Sequence, residues 1–60
     1  MPDQIGEVLF DFSPEEETEI KITVGERVTV VGDIGEGWVE GINSAGDRGI
    51  FPKDYWTRSF

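Results

Sequence analysis

A chain of 60 residues with neither cysteine nor histidine has no disulfide and lacks the commonest metal ligands, so burial and hydrogen bonding must hold it together. A domain of this size hides only roughly 60% of the surface its unfolded chain exposes, and its core supplies about 3–5 kcal/mol of net stability. It must therefore close compactly, and the apolar residues say how. They recur with a period of two, as in Ile20-Lys21-Ile22 and Val28-Thr29-Val30, which is the spacing of half-buried strands. No window of a dozen residues carries a helical stripe free of the eight glycines and three prolines.

The pattern predicts one all-β domain over residues 1–60, with five short strands at about 7–11, 27–32, 37–43, 47–51 and 56–59. Residues 1–5 are expected to form a frayed opening segment, and the whole reads as a domain of a longer protein. Residues 13–19 read as a long acidic loop and 32–37 as a flexible one. Val24-Gly25-Glu26 reads as a tight turn, and Asn43-Ser44-Ala45-Gly46-Asp47 as a hairpin connection. Pro52-Lys53-Asp54-Tyr55 is too short for an α-helix and fits one 3₁₀ turn. Strands this short must hide their edges. A small closed or nearly closed barrel does so, with Val8, Ile20, Ile22, Val28, Val30 and Phe51 facing inward.

Charge narrows the partners. Five Lys/Arg against 13 Asp/Glu give a net charge of −8, which repels phosphate backbones and anionic lipid. The basic residues Lys21, Arg27, Arg48, Lys53 and Arg58 form no run. The expected partner is cationic, with no nucleic acid, no direct membrane binding, and a monomeric cytoplasmic domain. No apolar stretch approaches the ~20 residues of a membrane-spanning helix, and no secretory signal pattern is present. Catalysis is disfavoured because Ser13, Ser44 and Ser59 have no histidine to activate them. Gly35-Glu36-Gly37 precedes a strand rather than a helix, so it is no phosphate loop. The acidic run lacks the alternating ligand spacing of a calcium loop, so neither metal nor cofactor is expected.

Several separated motifs, in order over nearly the whole chain, resemble the Src homology 3 (SH3) family. Val8-Leu9-Phe10-Asp11-Phe12 is similar to the family's opening Ala-Leu-Tyr-Asp-Tyr. Glu19-Ile20-Lys21-Ile22 followed by Val24-Gly25-Glu26 resembles its acidic, alternating, then Gly-acidic signature. Gly37-Trp38 stands where the family keeps a ligand-facing tryptophan, and Gly49-Ile50-Phe51-Pro52-Lys53-Asp54-Tyr55 resembles its last motif. Asp54 and the single tryptophan at Trp38 are similar to the endocytic sorting-nexin branch. The resemblance implies a five-stranded barrel of two orthogonal antiparallel sheets with one 3₁₀ turn.

It also implies a site. Phe10, Phe12, Trp38 and Tyr55 do not fit the core alternation, and the resemblance brings them together with Pro52 and Ile50 as a grooved surface for proline-rich peptides. The first loop would add Glu19, assisted by Glu16 and Glu17, to pair with a ligand Arg or Lys, with Glu15 beside them. Asp33 and Glu36 border the groove from the second loop, and Asp54 from the 3₁₀ turn. The implied role is an adaptor or scaffold module. The alternative is a structural or regulatory domain that docks a folded partner or an intramolecular segment without proline recognition.

Six departures from the family pattern set further expectations. Phe10 and Phe12 replace tyrosines, Asp54 replaces an asparagine that donates a hydrogen bond, and Ile50 replaces a frequent aromatic. The groove is thereby poorer in donors, which predicts binding at ~10–100 μM and a loss of affinity with salt. In the core, Gly41 stands where Ala or Val is usual and Trp56 where Val is usual, so the indole is expected to fill the space above Gly41.

Overall fold

The computed structural model describes residues 4–58. Five strands form one continuous antiparallel sheet in the order β4-β3-β2-β1-β5. They are β1 (Gln4–Val8), β2 (Arg27–Gly35), β3 (Trp38–Ile42), β4 (Arg48–Pro52) and β5 (Trp56–Arg58), with a 3₁₀ turn, η1, at Lys53–Tyr55. The all-β class, the strand number and the 3₁₀ turn agree with the sequence reading. The two expected sheets are joined through β2 into one ladder. β2 is nine residues long and pairs with both β1 and β3, so a single ladder runs through it. Its pairing with β3 shifts register between Val30 and Gly32 and again between Asp33 and Gly35. Such bulges bend a strand and raise its twist, which lets one sheet curl over its own core.

Two stretches differ most from expectation, the opening strand and the second loop. β1 lies at residues 4–8, not 7–11: Gln4 and Ile5, expected in the frayed segment, pair with Val30 and Thr29. Residues 1–3 and 59 lie outside the described residues. After Val8 the chain leaves the ladder, and Phe10 is 60% exposed. The second loop is a two-residue turn, Glu36-Gly37, because residues 32–35 belong to β2. Glu36 (φ 59°) and Gly37 (φ 86°) are both left-handed, the conformation of a type I′ hairpin turn, which matches strand twist.

The core comprises Val8, Ile20, Ile22, Val28, Val30, Val39, Phe51 and Trp56. It contains all six residues whose period-two placement pointed inward. Trp56 is buried too, but not against Gly41. A Cβ at Gly41 would meet Thr29 O at 2.7 Å and Phe51 Cε2 at 3.0 Å, so the phenyl ring occupies that space. The indole lies over Gly6, where a Cβ would stand 2.5 Å from Trp56 Cε2 and 2.1 Å from Thr57 O. Trp56 Nε1 donates to Val28 O at 3.1 Å, which satisfies the one polar atom of a buried ring. The first loop protects the sheet: Ile50 N donates to Thr18 O and Ile20 N to Ile50 O, covering the open edge of β4.

Candidate functional site

Four rings from three parts of the chain meet on one surface. Phe10 and Tyr55 lie edge to face at 5.8 Å, Phe12 and Tyr55 at 5.8 Å, and Phe12 and Trp38 at 6.0 Å. They form an unbroken series, Phe10–Tyr55–Phe12–Trp38, in the geometry that aromatic quadrupoles favour. Backbone bonds set it up. Leu9 N donates to Tyr55 O at 2.7 Å, which holds the segment after β1 against η1. Phe12 and Ile22 exchange N–H···O bonds at 2.9 and 3.2 Å, which fixes Phe12 over the core. Lys53 N donates to Gly37 O at 2.7 Å and ties η1 to the start of β3.

Strand alternation extends this surface. Val39 and Gly41 are buried, so Trp38, Glu40 and Ile42 share the outward face of β3. Their partners across β4 are Pro52, Ile50 and Arg48. Pro52 thus stands beside Trp38, and Ile50 beside Glu40. A recess of about 360 Å³ lined by Val30, Val39, Lys53 and Trp56 among others contains none of the four rings. The aromatic series lies on the outer surface and is not the wall of that recess.

The donors on this surface are uncommitted. Trp38 Nε1 and Tyr55 Oη, on half-buried residues, bond to no described residue. The acidic groups divide. Glu16, Glu17, Glu36 and Asp54 are exposed, and their side chains engage no described residue. Glu19 is half-buried, and its Oε1 accepts from Glu15 N at 2.8 Å and Glu16 N at 3.4 Å. Its carboxylate therefore shapes the first loop from within. Asp33 Oδ1 accepts from Gly35 N at 2.8 Å, and Asp33 Oδ2 lies 3.9 Å from Lys53 Nζ, so it serves the β2–β3 turn.

The sequence reading passed over Glu40. Its Oε2 accepts from Arg48 Nε at 2.9 Å, and it shares the face of Trp38. The signal was available, since a residue two positions from Trp38 on a strand must point the same way.

Comparison with known proteins places this surface in context. The family model described as variant SH3 domain matches residues 8–56. Sorting nexin-18 from Mus musculus is 49% identical over 49 residues, covering 78% of this chain and 8% of the relative. The chain thus spans less than a tenth of that curated relative. The solved SH3 domain of yeast NBP2 is similar at a TM-score of 0.89 and 28% identity, over 95% of this chain and 98% of that one. The C-terminal SH3 domain of myosin IB from Entamoeba histolytica, solved bound to the EhFP10(GEF) peptide, has a TM-score of 0.89 at 22% identity. It covers 100% of this chain and 98% of its own, and shows a shared fold.

Proposed function

This chain belongs to the variant SH3 domain family of non-catalytic interaction modules, and from that premise we propose that it binds proline-rich peptides carrying Arg or Lys along the Phe10–Tyr55–Phe12–Trp38 surface. The observation that carries the reading is the pairing of contiguous rings with two free donors. A polyproline II helix turns every three residues and presents its x-Pro pairs at regular intervals. Its pyrrolidine rings stack on flat aromatic faces, and little further ordering entropy is lost because the ligand is already extended. Proline lacks an N–H, so such a ligand has carbonyls in excess. Trp38 Nε1 and Tyr55 Oη donate to them when water is excluded. Pro52 and Ile50 extend the apolar floor. Glu16 and Glu17 steer the ligand cation toward the surface, with Glu36 and Asp54 adding to the field, while Glu19 holds the loop that carries the first two.

The role is that of an adaptor or scaffold part of a larger cytoplasmic protein, acting as a monomer. Exposed charge pairs contribute only ~0.2–1 kcal/mol each, so the acidic border governs orientation and encounter more than affinity. A chemical-shift titration with a proline-rich arginine peptide tests this. The expected Kd is ~10–100 μM, with shifts centred on Trp38 and Tyr55 and weaker binding in high salt. Trp38→Ala should weaken binding more than about tenfold, in the range of lost hot-spot residues. Shifts elsewhere, or indifference to Trp38→Ala, would favour docking of a folded partner or a neighbouring segment.

A further inference from the structure

We propose that Arg48 occupies in cis the seat that a ligand cation takes at Glu40, so that a basic peptide binds by exchanging its own guanidinium or ammonium for that of Arg48. The inference rests on the peptide-binding reading above and adds a self-competing residue to it.

Three adjacent backbones carry the seat. Glu40 on β3 is the register partner of Ile50 on β4, and Ile50 is bridged on its other side to Glu19 of the first loop. Neighbouring strands stand about 4.8 Å apart, so two acidic residues flank Ile50 at roughly 10 Å from each other. Ile50 is half-buried, an apolar floor between two carboxylates. Trp38 lies two residues along β3 on the same face, about 6.6 Å away. A chain running along the aromatic series and past Trp38 arrives at this floor.

One oxygen of each carboxylate already has a partner, Oε1 of Glu19 and Oε2 of Glu40, but the partners differ. Glu19 accepts from backbone N–H groups of its own loop, and these cannot leave without unfolding that loop. Glu40 accepts from Arg48 Nε, a long side chain from the next strand. The Arg48 and Glu40 side chains are 63% and 34% exposed. An exposed pair of this kind is weak, and Arg48 can swing into water with its charge fully hydrated. Glu40 is therefore the carboxylate that can change partner. A ligand arginine brought there by the rings has a high local concentration and can displace Arg48. A ligand without a cation leaves the pair in place.

The test uses a synthetic proline-rich peptide with one arginine, and the same peptide with uncharged citrulline at that position. Arg48→Gln should raise affinity for the arginine peptide about two- to fivefold, the range of an exposed ion pair, and leave the citrulline peptide unchanged. Lys21→Gln is the control: Lys21 is exposed, engages no described residue through its side chain, and carries the same charge. It should leave both affinities nearly unchanged. No gain from Arg48→Gln, an equal gain from Lys21→Gln, or an equal gain for the citrulline peptide would each overturn the proposal. If the parent domain binds neither peptide, the peptide reading fails separately. Argininamide alone then decides the seat. Larger shifts at Glu40 and Ile50 in Arg48→Gln than in the parent would support it, and equal shifts would overturn it.

Discussion

The two ends of the β3–β4 hairpin treat their polar groups in opposite ways. At the end that turns through residues 43–47, they are bound into the fold. Asn43 is 8% exposed, and its Oδ1 accepts from Ala45 N and Asp47 N while its Nδ2 donates to Lys21 O. Glu26 accepts from Thr23 N, Ser44 N and Ser44 Oγ, which latches the Thr23–Glu26 turn to the hairpin tip. At the other end stand Trp38 and Pro52, with Tyr55 close by. There the indole and phenol donors and the exposed carboxylates of Glu36 and Asp54 engage no described residue. Side chains held by backbone groups of the fold cannot turn to a partner without losing those bonds. Half-buried donors left open favour a partner that supplies acceptors, because covering them with anything else costs their desolvation.

The tryptophans give this contrast its sharpest test. Trp56→Val removes a buried indole and its bond to Val28 O, and is expected to cost about 3–4 kcal/mol. That approaches the whole margin of a domain this small. Trp38→Val, at a half-buried site with no indole hydrogen bond, should cost about 1 kcal/mol or less. Denaturant midpoints of the two variants measure the difference, and equal losses would break the comparison. Because Phe51 fills the space at Gly41, Gly41→Ala should not rescue Trp56→Val.

Asn43→Ala comes next. It deletes three hydrogen bonds at a buried position and leaves N–H and C=O groups short of partners, for an expected loss of about 2 kcal/mol. Peptide affinity of the folded fraction should stay at the parent value. A fall in affinity would mean that the two ends are coupled and do not divide the work between them.

The core was legible in the sequence because each of its strands has one dry face, which writes itself as period two. The choice of Gly6 as the neighbour of Trp56 was not. It depends on the register of β1 against β5, which lines up chain positions about fifty apart. The offset of β1 escaped for another reason. Val8-Leu9-Phe10 reads as strand by composition, yet Phe10 packs its ring on Tyr55 at the surface and not within a ladder. The glycines of 32–37 suggested flexibility, although here they serve bulges and a left-handed turn. The ring series was legible only through family resemblance, since no local period relates Phe10, Phe12, Trp38 and Tyr55. The engagement of Glu19 was readable in principle: a carboxylate three and four residues after Glu16 and Glu15 can reach back to their N–H groups.

The smallest effect expected concerns acid. Partial burial pushes the Glu26 carboxyl up, but the bonds from Ser44 Oγ–H, Ser44 N–H and Thr23 N–H outweigh it and hold the pKa below the usual 4.5. The folded state therefore binds this proton less readily than the unfolded chain does. The resulting stability is present above the unfolded carboxylate value and is lost as pH falls through it toward the lower folded value. The difference between the parent and Glu26→Gln isolates the latch. Urea midpoints should separate the two most at neutral pH and draw together as pH falls through the carboxylate range. Ser44→Ala removes the hydroxyl's share and should show a smaller gap closing in the same direction. A gap that stays constant from neutral to acid pH would mean that the latch holds by shape alone, and that the charge of Glu26 adds nothing at the end of the hairpin where polar groups are meant to be in use.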